Sequence, residues 1–234
     1  MKKLGFIVAS TLLLAACTSS GDENISYEEY EDTSIVENTE NLYEDIENTY
    51  ELTTEYVAWP QRGIWNGNLY LNEYLGVSFE MPEGWDKLSD EQISEQLGVG
   101  ISFLQGSDAI EFIMEEIGFN SFMEMMATNP ETGASINIAF ERLENPYMTA
   151  REFIFHASEE LVAAGMEVFL DGFHNIIIGN SSWEVYGSMA DFGVYIYGRF
   201  LVSVYGGFVR VITIVYTEHS ETAEEILSMI SEVF

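Results

Sequence analysis

Cysteine and basic residues are scarce in this 234-residue chain, which has one cysteine and eight lysines and arginines. A single cysteine excludes an intrachain disulfide, a thiolate metal cluster and a structural zinc site built from several cysteines. Against the eight bases stand 40 acids, so the formal net charge is −32. A field of that sign repels phosphate backbones, which argues against nucleic-acid binding, and it attracts basic proteins and divalent cations.

The chain also lacks an apolar run long enough to span a bilayer, which takes about 20 residues. The apolar run from Leu4 to Leu14 is shorter than that; it follows Lys2 and Lys3 and leads into Ala15-Ala16-Cys17. A positive start, a short apolar run and small residues before a cleavage point are typical of a secretion signal. The sequence therefore predicts export.

The end of this signal, Leu14-Ala15-Ala16-Cys17, resembles the lipobox of bacterial lipoproteins. By that resemblance Cys17 is diacylated through its sulfur and becomes the first residue of a mature chain on the extracytoplasmic face of the cell membrane. Two acyl chains give a stable anchor, at about 0.8 kcal/mol per buried methylene. Loss of Lys2 and Lys3 makes the net charge more negative by two, from −32 to −34. An ordinary signal peptide cleaved after Ala16 is the alternative.

Residues 18–59 contain no lysine or arginine, and acids recur throughout among asparagine, threonine and serine. Such a segment buries too little apolar surface to offset the entropy of ordering, so we predict a disordered acidic tether. A flexible chain of this length reaches roughly 35 Å, and self-repulsion extends it further. The alternative is that tyrosines in this segment serve for recognition.

Residues 60–234 are rich in aromatic and β-branched residues and form one predicted globular domain. We predict strands at 63–71 (a hairpin around Asn66-Gly67), 77–81, 121–128, 134–143, 167–170, 173–178, 182–189, 194–205 and 208–217. We predict helices at 89–98, 109–117, 149–164 and 220–234, the last capped by Ser220 and running to the C-terminus. Strand alternation places Met123 and Met125 on one face.

The strand at 208–217 decides the predicted architecture, because its side chains are apolar on both faces. A strand of this kind is covered on both sides. The prediction is therefore an α+β fold, with an antiparallel sheet flanked by helices in a three-layer α/β/α sandwich.

Three short motifs near the start of this domain are Gly67-Asn68-Leu69-Tyr70, Asn72-Glu73-Tyr74-Leu75-Gly76 and Met81-Pro82-Glu83-Gly84-Trp85. They resemble the opening of small surface lipoproteins of Firmicutes, and the likeness extends over roughly residues 64–234. That group looks like members of the PsbP/Mog1-like fold. The resemblance implies an accessory or partner-binding protein rather than an enzyme, and it assigns no binding residue to this chain.

Catalytic motifs are scarce. The histidines His156, His174 and His219 lack metal-ligand spacing, and Asp191-Phe192-Gly193 is interpreted as a hairpin turn because no other kinase motif accompanies it. Three carboxylate pairs are candidates for glycoside chemistry, although adjacent residues on a helix point apart: Glu115-Glu116, Glu159-Glu160 and Glu224-Glu225. Clustered methionines and the tryptophans Trp59, Trp65 and Trp183 are better explained by a core than by an adaptable or sugar-stacking surface.

The sequence thus predicts a membrane-anchored, extracytoplasmic lipoprotein whose domain binds a protein or envelope component without catalysis. The partner is unidentified, and the net charge favours a basic one. No catalytic residue, cofactor or metal is predicted, and Cys17 is the one predicted modification site. The alternative is a cell-wall or glycan hydrolase using one of the carboxylate pairs.

Overall fold

The computed structural model describes residues 59–97, 100–104, 108–178, 181–191 and 193–232. Cys17, the predicted tether up to residue 58, the turn at 179–180 and Phe192 lie outside these ranges.

The described residues form eleven strands in two antiparallel sheets. The small sheet has the order β1-β2-β3-β11 and the large sheet the order β4-β5-β6-β10-β9-β8-β7. The strands are β1 (Ile64–Asn66), β2 (Leu69–Asn72), β3 (Val77–Glu80), β4 (Asp86–Lys87), β5 (Ser121–Thr128), β6 (Ser135–Arg142), β7 (Glu167–Ile178), β8 (Ser181–Asp191), β9 (Tyr195–Tyr205), β10 (Phe208–Thr217) and β11 (Ile230–Glu232).

The helices in the described ranges are short, with one exception. They are α1 (Asp90–Leu97), a 3-10 turn (Ile101–Leu104), α2 (Ala109–Glu115), α3 (Ala150–Ala163) and α4 (Ala223–Leu227). The longest, α3, begins where expected, because Thr149 and Glu152 form a reciprocal capping box that satisfies two free backbone N–H groups at the helix start. None of the described helices is long and apolar enough to cross a membrane.

The large sheet is the centre of the domain and buries apolar side chains on both faces. Its front face, which carries Phe140 and Ile212, packs against the small sheet, α1, α2 and α4. Its back face, which carries Val202 and Val211, packs against α3. The α+β class and the antiparallel sheet flanked by helices are confirmed, as is the burial of β10 on both sides. The front layer differs from the prediction in combining helices with a second sheet.

Glycine forms a two-residue hairpin turn in the large sheet. The turn between β9 and β10 consists of Gly206 and Gly207, with φ of 60° and 81°. A two-residue turn with positive φ at both positions matches the twist of the flanking strands, and glycine adopts it without strain. The turn fixes the register of the two longest-paired strands.

The C-terminal prediction was wrong in two respects. The cap of α4 is Thr222, which forms a capping box with Glu225, whereas Ser220 closes a turn with Thr217. The helix ends at Leu227, and β11 then pairs with β3. This pairing satisfies the backbone groups along the edge of β3, which a longer helix would leave without strand partners.

The predicted common face of Met123 and Met125 was also wrong. A β-bulge interrupts β5, so Met123 lies opposite Ala139 while Met125 lies opposite Ile138. The inserted residue is Glu124, and it shifts the alternation by one, so that Met125 joins the front core. Likewise β7 is a single strand with an irregularity between Phe169 and His174, where two strands were predicted.

Candidate functional site

A cleft of about 640 Å³ lies where the small sheet meets α1 and the 3-10 turn. Ten residues line it: Gln61, Arg62, Gly63, Ile64, Trp65, Leu71, Glu73, Tyr74, Asp90 and Leu104. Its size suits a small ligand or a few residues of a peptide. Two other cavities in the described part of the chain are smaller, at about 200 and 300 Å³.

The bulge on β5 delivers Glu124 to the inner side of this cleft. The side chain of Glu124 is only 1% exposed. Its Oε1 accepts hydrogen bonds from the backbone N–H of Gly63 at 2.5 Å and from the hydroxyl of Tyr70 at 3.0 Å. Its Oε2 accepts from Nε of Arg62 at 3.2 Å. A carboxylate buried this deeply needs such partners, because an unpaired charge in a low-dielectric interior is very costly.

Arg62 is held on three sides. Besides the bond to Glu124, its Nη2 donates to Oδ1 of Asp90 at 2.9 Å and its Nη1 donates to the carbonyl oxygen of Leu104 at 2.7 Å. Its guanidinium lies 5.8 Å from the ring centroid of Phe122. Planar donors in fixed directions allow one arginine to tie α1, the 3-10 turn and β5 together. Arg62, with 15% of its side chain exposed, lines the cleft, whereas Glu124 does not.

Burial raises the pKa of Glu124 from its ordinary 4.5 to about 7, although the charge of Arg62 and the hydrogen bonds from Gly63, Tyr70 and Arg62 itself act in the opposite direction. Burial likewise raises the pKa of the Tyr70 phenol well above 10, and the charge of Glu124 adds to this. For Arg62, burial lowers the pKa, but the hydrogen bond and charge of Asp90 and the charge of Glu124 outweigh it, so the pKa rises.

The hydrogen bonds continue from Tyr70 to Asn72, which is fully buried. The Asn72 amide donates to the Tyr70 hydroxyl at 3.0 Å and to the carbonyl of Gln61 at 3.2 Å, and its oxygen accepts from the N–H of Leu75 at 2.9 Å. Gly63 lets the chain approach this closely, because a Cβ there would lie 2.6 Å from the carbonyl oxygen of Leu71. The cluster of Arg62, Gly63, Tyr70, Asn72, Asp90 and Glu124 is called the Glu124 cluster below.

The cleft's open side has a different character from the Glu124 cluster. Ile64 is 71% exposed, Leu71 and Trp65 are half-buried, and Glu73 is exposed. Asp90 adds a second carboxylate, 46% exposed at its side chain. The one cation among the lining residues, Arg62, is already paired with two carboxylates. The open surface is therefore apolar with acidic edges, which complements a chain segment carrying apolar and basic side chains.

The carboxylate pairs predicted from the sequence lie elsewhere, on the outside of helices. Glu115 is paired with Arg142 at 3.5 Å, Glu224 is paired with Arg199 at 3.3 Å, and Glu225 is used in the cap of α4. Glu116 and Glu159 are exposed and Glu160 is half-buried. None of the six lines the cleft or either of the two smaller cavities.

The other residues that the sequence suggested as functional are exposed, packed in the core or part of a turn. His156, His174 and His219 are all exposed, and no metal-binding group of three or more His, Cys, Asp or Glu occurs among the described residues. Trp183 is fully buried, while Trp59 and Trp65 pack against the front core. Asp191 ends β8 and its side chain accepts from the N–H of Gly193, as a hairpin turn requires.

Sequence reasoning missed Arg62 and Glu124. The available signal was Glu124 itself, an acid in the middle of the otherwise apolar strand Phe122–Ala127. A charge there demands a buried partner, and the chain has few bases to supply one. The choice of Arg62 as the partner of Glu124 depends on the bulge and on the backbone conformation of residues 60–63. A residue pattern specifies neither of these.

No family model matches the chain, and no curated protein matches it. Among solved structures it is similar to PsbP (CyanoP) from Synechocystis sp. PCC 6803, with 8% identity, a TM-score of 0.42, and coverage of 72% of this chain and 95% of that one. It is also similar to LpqN, described as involved in cell envelope biogenesis of Mycobacterium tuberculosis, with 12% identity, a TM-score of 0.35, and coverage of 68% and 83%.

A third similar structure is a protein of Bacteroides thetaiotaomicron, with 14% identity, a TM-score of 0.35 and coverage of 67% of this chain. This chain spans 45%, or less than half, of that protein's length. All three TM-scores lie below 0.5, and none of these likenesses bears on the function of this chain. The likeness to Firmicutes lipoproteins and the lipid anchor stay predictions.

Proposed function

We propose that this protein is a membrane-anchored extracytoplasmic lipoprotein whose domain binds a basic, partly apolar segment of an envelope protein without catalysing a reaction. The observation that carries the proposal is the composition of the cleft: an apolar wall and acidic edges, with its single cation already bound to Asp90 and Glu124. The net charge of the chain draws basic partners to this surface.

The arrangement of Arg62 favours binding over catalysis. Glu124, whose pKa lies near neutrality, is 1% exposed and is not among the residues that line the cleft, so it has no direct contact with a ligand there. A general acid or base must come within hydrogen-bond reach of the proton it transfers. Asp90, the other carboxylate that contacts Arg62, is engaged by it at 2.9 Å. Both carboxylates therefore serve to position Arg62 and to shape the cleft.

The test uses the mature-length chain made soluble by Cys17→Ser, titrated calorimetrically with a synthetic Lys-Leu-Lys-Leu-Lys-Leu peptide. We expect the double variant Ile64→Ser, Glu73→Gln to bind at least tenfold more weakly than the parent, because it removes an apolar and an acidic contact in the cleft. The matched control is Ile177→Ser, Glu131→Gln, which makes the same chemical changes at exposed positions outside the cleft. Equal weakening in both would mean that only the overall charge attracts the peptide, and would refute the proposal.

The anchor is tested separately. Cys17→Ser should move the protein from the membrane fraction to the soluble fraction, because it removes the sulfur that carries the two acyl chains. The parent and the variant are compared by fractionation and by labelling with a palmitate analogue. Equal membrane retention and equal labelling would refute the lipoprotein assignment while leaving the cleft proposal standing.

A glycan or cell-wall hydrolase remains the second candidate function, favoured by one observation: Glu124, with a pKa near 7, and exposed Asp90 are two carboxyl groups in unlike environments beside one cleft. The hydrolase hypothesis predicts that the protein turns over cell-wall polysaccharide and that Glu124→Gln abolishes this turnover. Such turnover, measured as release of reducing ends, would replace the binding proposal by the enzymatic one.

A further inference from the structure

A second cavity, of about 200 Å³, lies on the front face of the large sheet, near the edge formed by β7. Phe169, Gly187 and Arg199 lie side by side there on β7, β8 and β9, because Gly187 pairs with Phe169 on one side and with Arg199 on the other. Tyr197 and Tyr216 are paired in the next row toward one end of the sheet. This cavity, with Gly187 as its floor, is called the tyrosine pit below.

The floor of the pit is open because Gly187 has no side chain. The packing of the sheet does not require glycine at this position. A Cβ at this position would meet only the carbonyl oxygen of Gly198 at 3.6 Å and Cδ2 of Phe169 at 3.9 Å, both ordinary contacts. Its backbone lies outside the left-handed region that favours glycine. A glycine in a strand interior often marks a bulge or a place where a ligand or another backbone approaches closely.

The walls of the tyrosine pit are aromatic and accessible. The rings of Tyr197 and Tyr216 stack with centroids 5.2 Å apart and planes 21° apart, and Tyr195 continues the row at 6.4 Å from Tyr197. Phe169, on the opposite side of Gly187, is 47% exposed. Aromatic rings in a core are covered by other side chains, whereas these present part of their surface to solvent around an opening.

The charges of the residues that line the tyrosine pit limit the class of ligand that it can bind. None of the ten described residues that line the tyrosine pit is acidic, in a chain with 40 acids. The one permanently charged side chain there, Arg199, donates to Glu224 at 3.3 Å and is thereby neutralised. Neither a cation nor a free anion is therefore selected. An uncharged ligand with an apolar flat side and hydrogen-bonding edges fits best.

We propose that the tyrosine pit binds a pyranose ring of a neutral glycan. The C–H groups on one side of such a ring pack against an aromatic face, whose negative quadrupole attracts them. The ring's hydroxyl groups would meet the phenol groups of Tyr197 and Tyr216 and the guanidinium of Arg199 at the edges of the pit. This site is separate from the cleft and does not depend on the function proposed for it.

The experiment titrates the mature-length Cys17→Ser chain with chitotetraose and, in a second arm, with cellotetraose, following chemical shifts of the tyrosine and glycine resonances by NMR. We expect at least one probe to bind and to shift Gly187. Gly187→Val should weaken that binding at least tenfold by filling the floor, and a β-branched residue suits a strand. Tyr197→Leu, which removes the stacking ring, should weaken it by a similar factor.

The matched control is Tyr147→Leu, which removes a tyrosine that is 77% exposed and lies outside the pit. It should bind each probe within twofold of the parent. Absence of binding by both probes, or retention of full affinity by Gly187→Val, would overturn the proposal. Equal loss in Tyr147→Leu and Tyr197→Leu would do so too, because it would mean that surface tyrosines bind sugars without a built site.

Discussion

Two groups of polar side chains are buried on opposite faces of the large sheet, and they differ in whether they have partners. In the Glu124 cluster on the front, each buried carboxylate, phenol and amide takes part in hydrogen bonds of 2.5 to 3.2 Å. On the back face, Ser135, Asn137 and Thr213 are also buried, with exposed fractions of 0–2%, but their side chains form no hydrogen bond within the described part of the chain.

The difference shows that burying polar side chains costs free energy, and that hydrogen bonds among them fix the positions of the elements that carry them. Asn137 and Thr213 are direct cross-strand neighbours, yet their side chains remain unbonded, so they lose their hydration without compensation. The Glu124 cluster offsets part of this loss because its members, which come from β2, β5, α1 and the segment that precedes β1, meet in one geometry. A fully connected network of this kind locks those elements together.

The largest expected effect comes from removing the centre of the Glu124 cluster. Arg62→Met should lower the free energy of unfolding by about 3–5 kcal/mol at pH 8, because the buried Glu124 carboxyl loses its counter-ion and must either stay charged without it or take up a proton. The measurement is chemical denaturation. Arg151→Met is the control: its partner Glu184 lies 3.4 Å away, but Arg151 is 56% exposed, so a change of about 0–1 kcal/mol is expected. Similar losses in both would contradict the special role of the cluster.

The second prediction is a pH dependence. The folded-state pKa of Glu124, about 7, lies above its unfolded value of 4.5, so the folded protein binds this proton more tightly. The associated stability is full below pH 4.5 and is lost as the pH rises through 7, amounting to about 3 kcal/mol. The melting temperature of the parent should therefore fall more between pH 5 and pH 8 than that of Glu124→Gln. Parallel curves for the two proteins would place the pKa of Glu124 outside this range.

A third, smaller effect is expected from Tyr70→Phe, which deletes one hydroxyl and nothing else. The loss removes the donor to Glu124 and the acceptor of the Asn72 amide, and should cost about 1–3 kcal/mol at pH 8. Tyr147→Phe, the same change at a phenol that is 77% exposed, should leave stability unchanged. A neutral result for Tyr70→Phe would mean that the cluster is held together without its phenol.

The smallest expected effect is a gain in stability, and it comes from a substitution on the back face of the large sheet. Thr213→Val replaces a buried, unbonded hydroxyl by a methyl of similar shape and should stabilise the protein by about 1 kcal/mol. Thr128→Val is the matched control, because the Thr128 hydroxyl donates to the carbonyl of Ala134 at 3.2 Å, so no gain is expected. A loss of stability in Thr213→Val would show that its hydroxyl has a partner after all, and the contrast between the faces would fail.

The same contrast explains what could be predicted from sequence. The strands of the large sheet and helix α3 follow from alternation, turn glycines and a capping box, all of which are local. The Glu124 cluster is assembled from residues up to 62 positions apart, and it depends on an unpaired strand residue at a bulge. Thr222 was missed as the cap of α4 for a related reason. Ser220 is also a suitable capping residue, but its hydroxyl donates a hydrogen bond to the backbone carbonyl of Thr217 instead.

The entry of the chain into the domain has a mechanical consequence. Trp59 lies with its ring centroid 5.0 Å from that of Phe208 and beneath the guanidinium of Arg142 at 5.2 Å, and Arg62 follows three positions later. Tension along the preceding segment would reach the Trp59 contacts first and then the bonds of Arg62 and Gly63 to Glu124. Arg62 and Gly63 line the cleft, so such strain would change the shape of the cleft before it breaks the strand pairing of the large sheet.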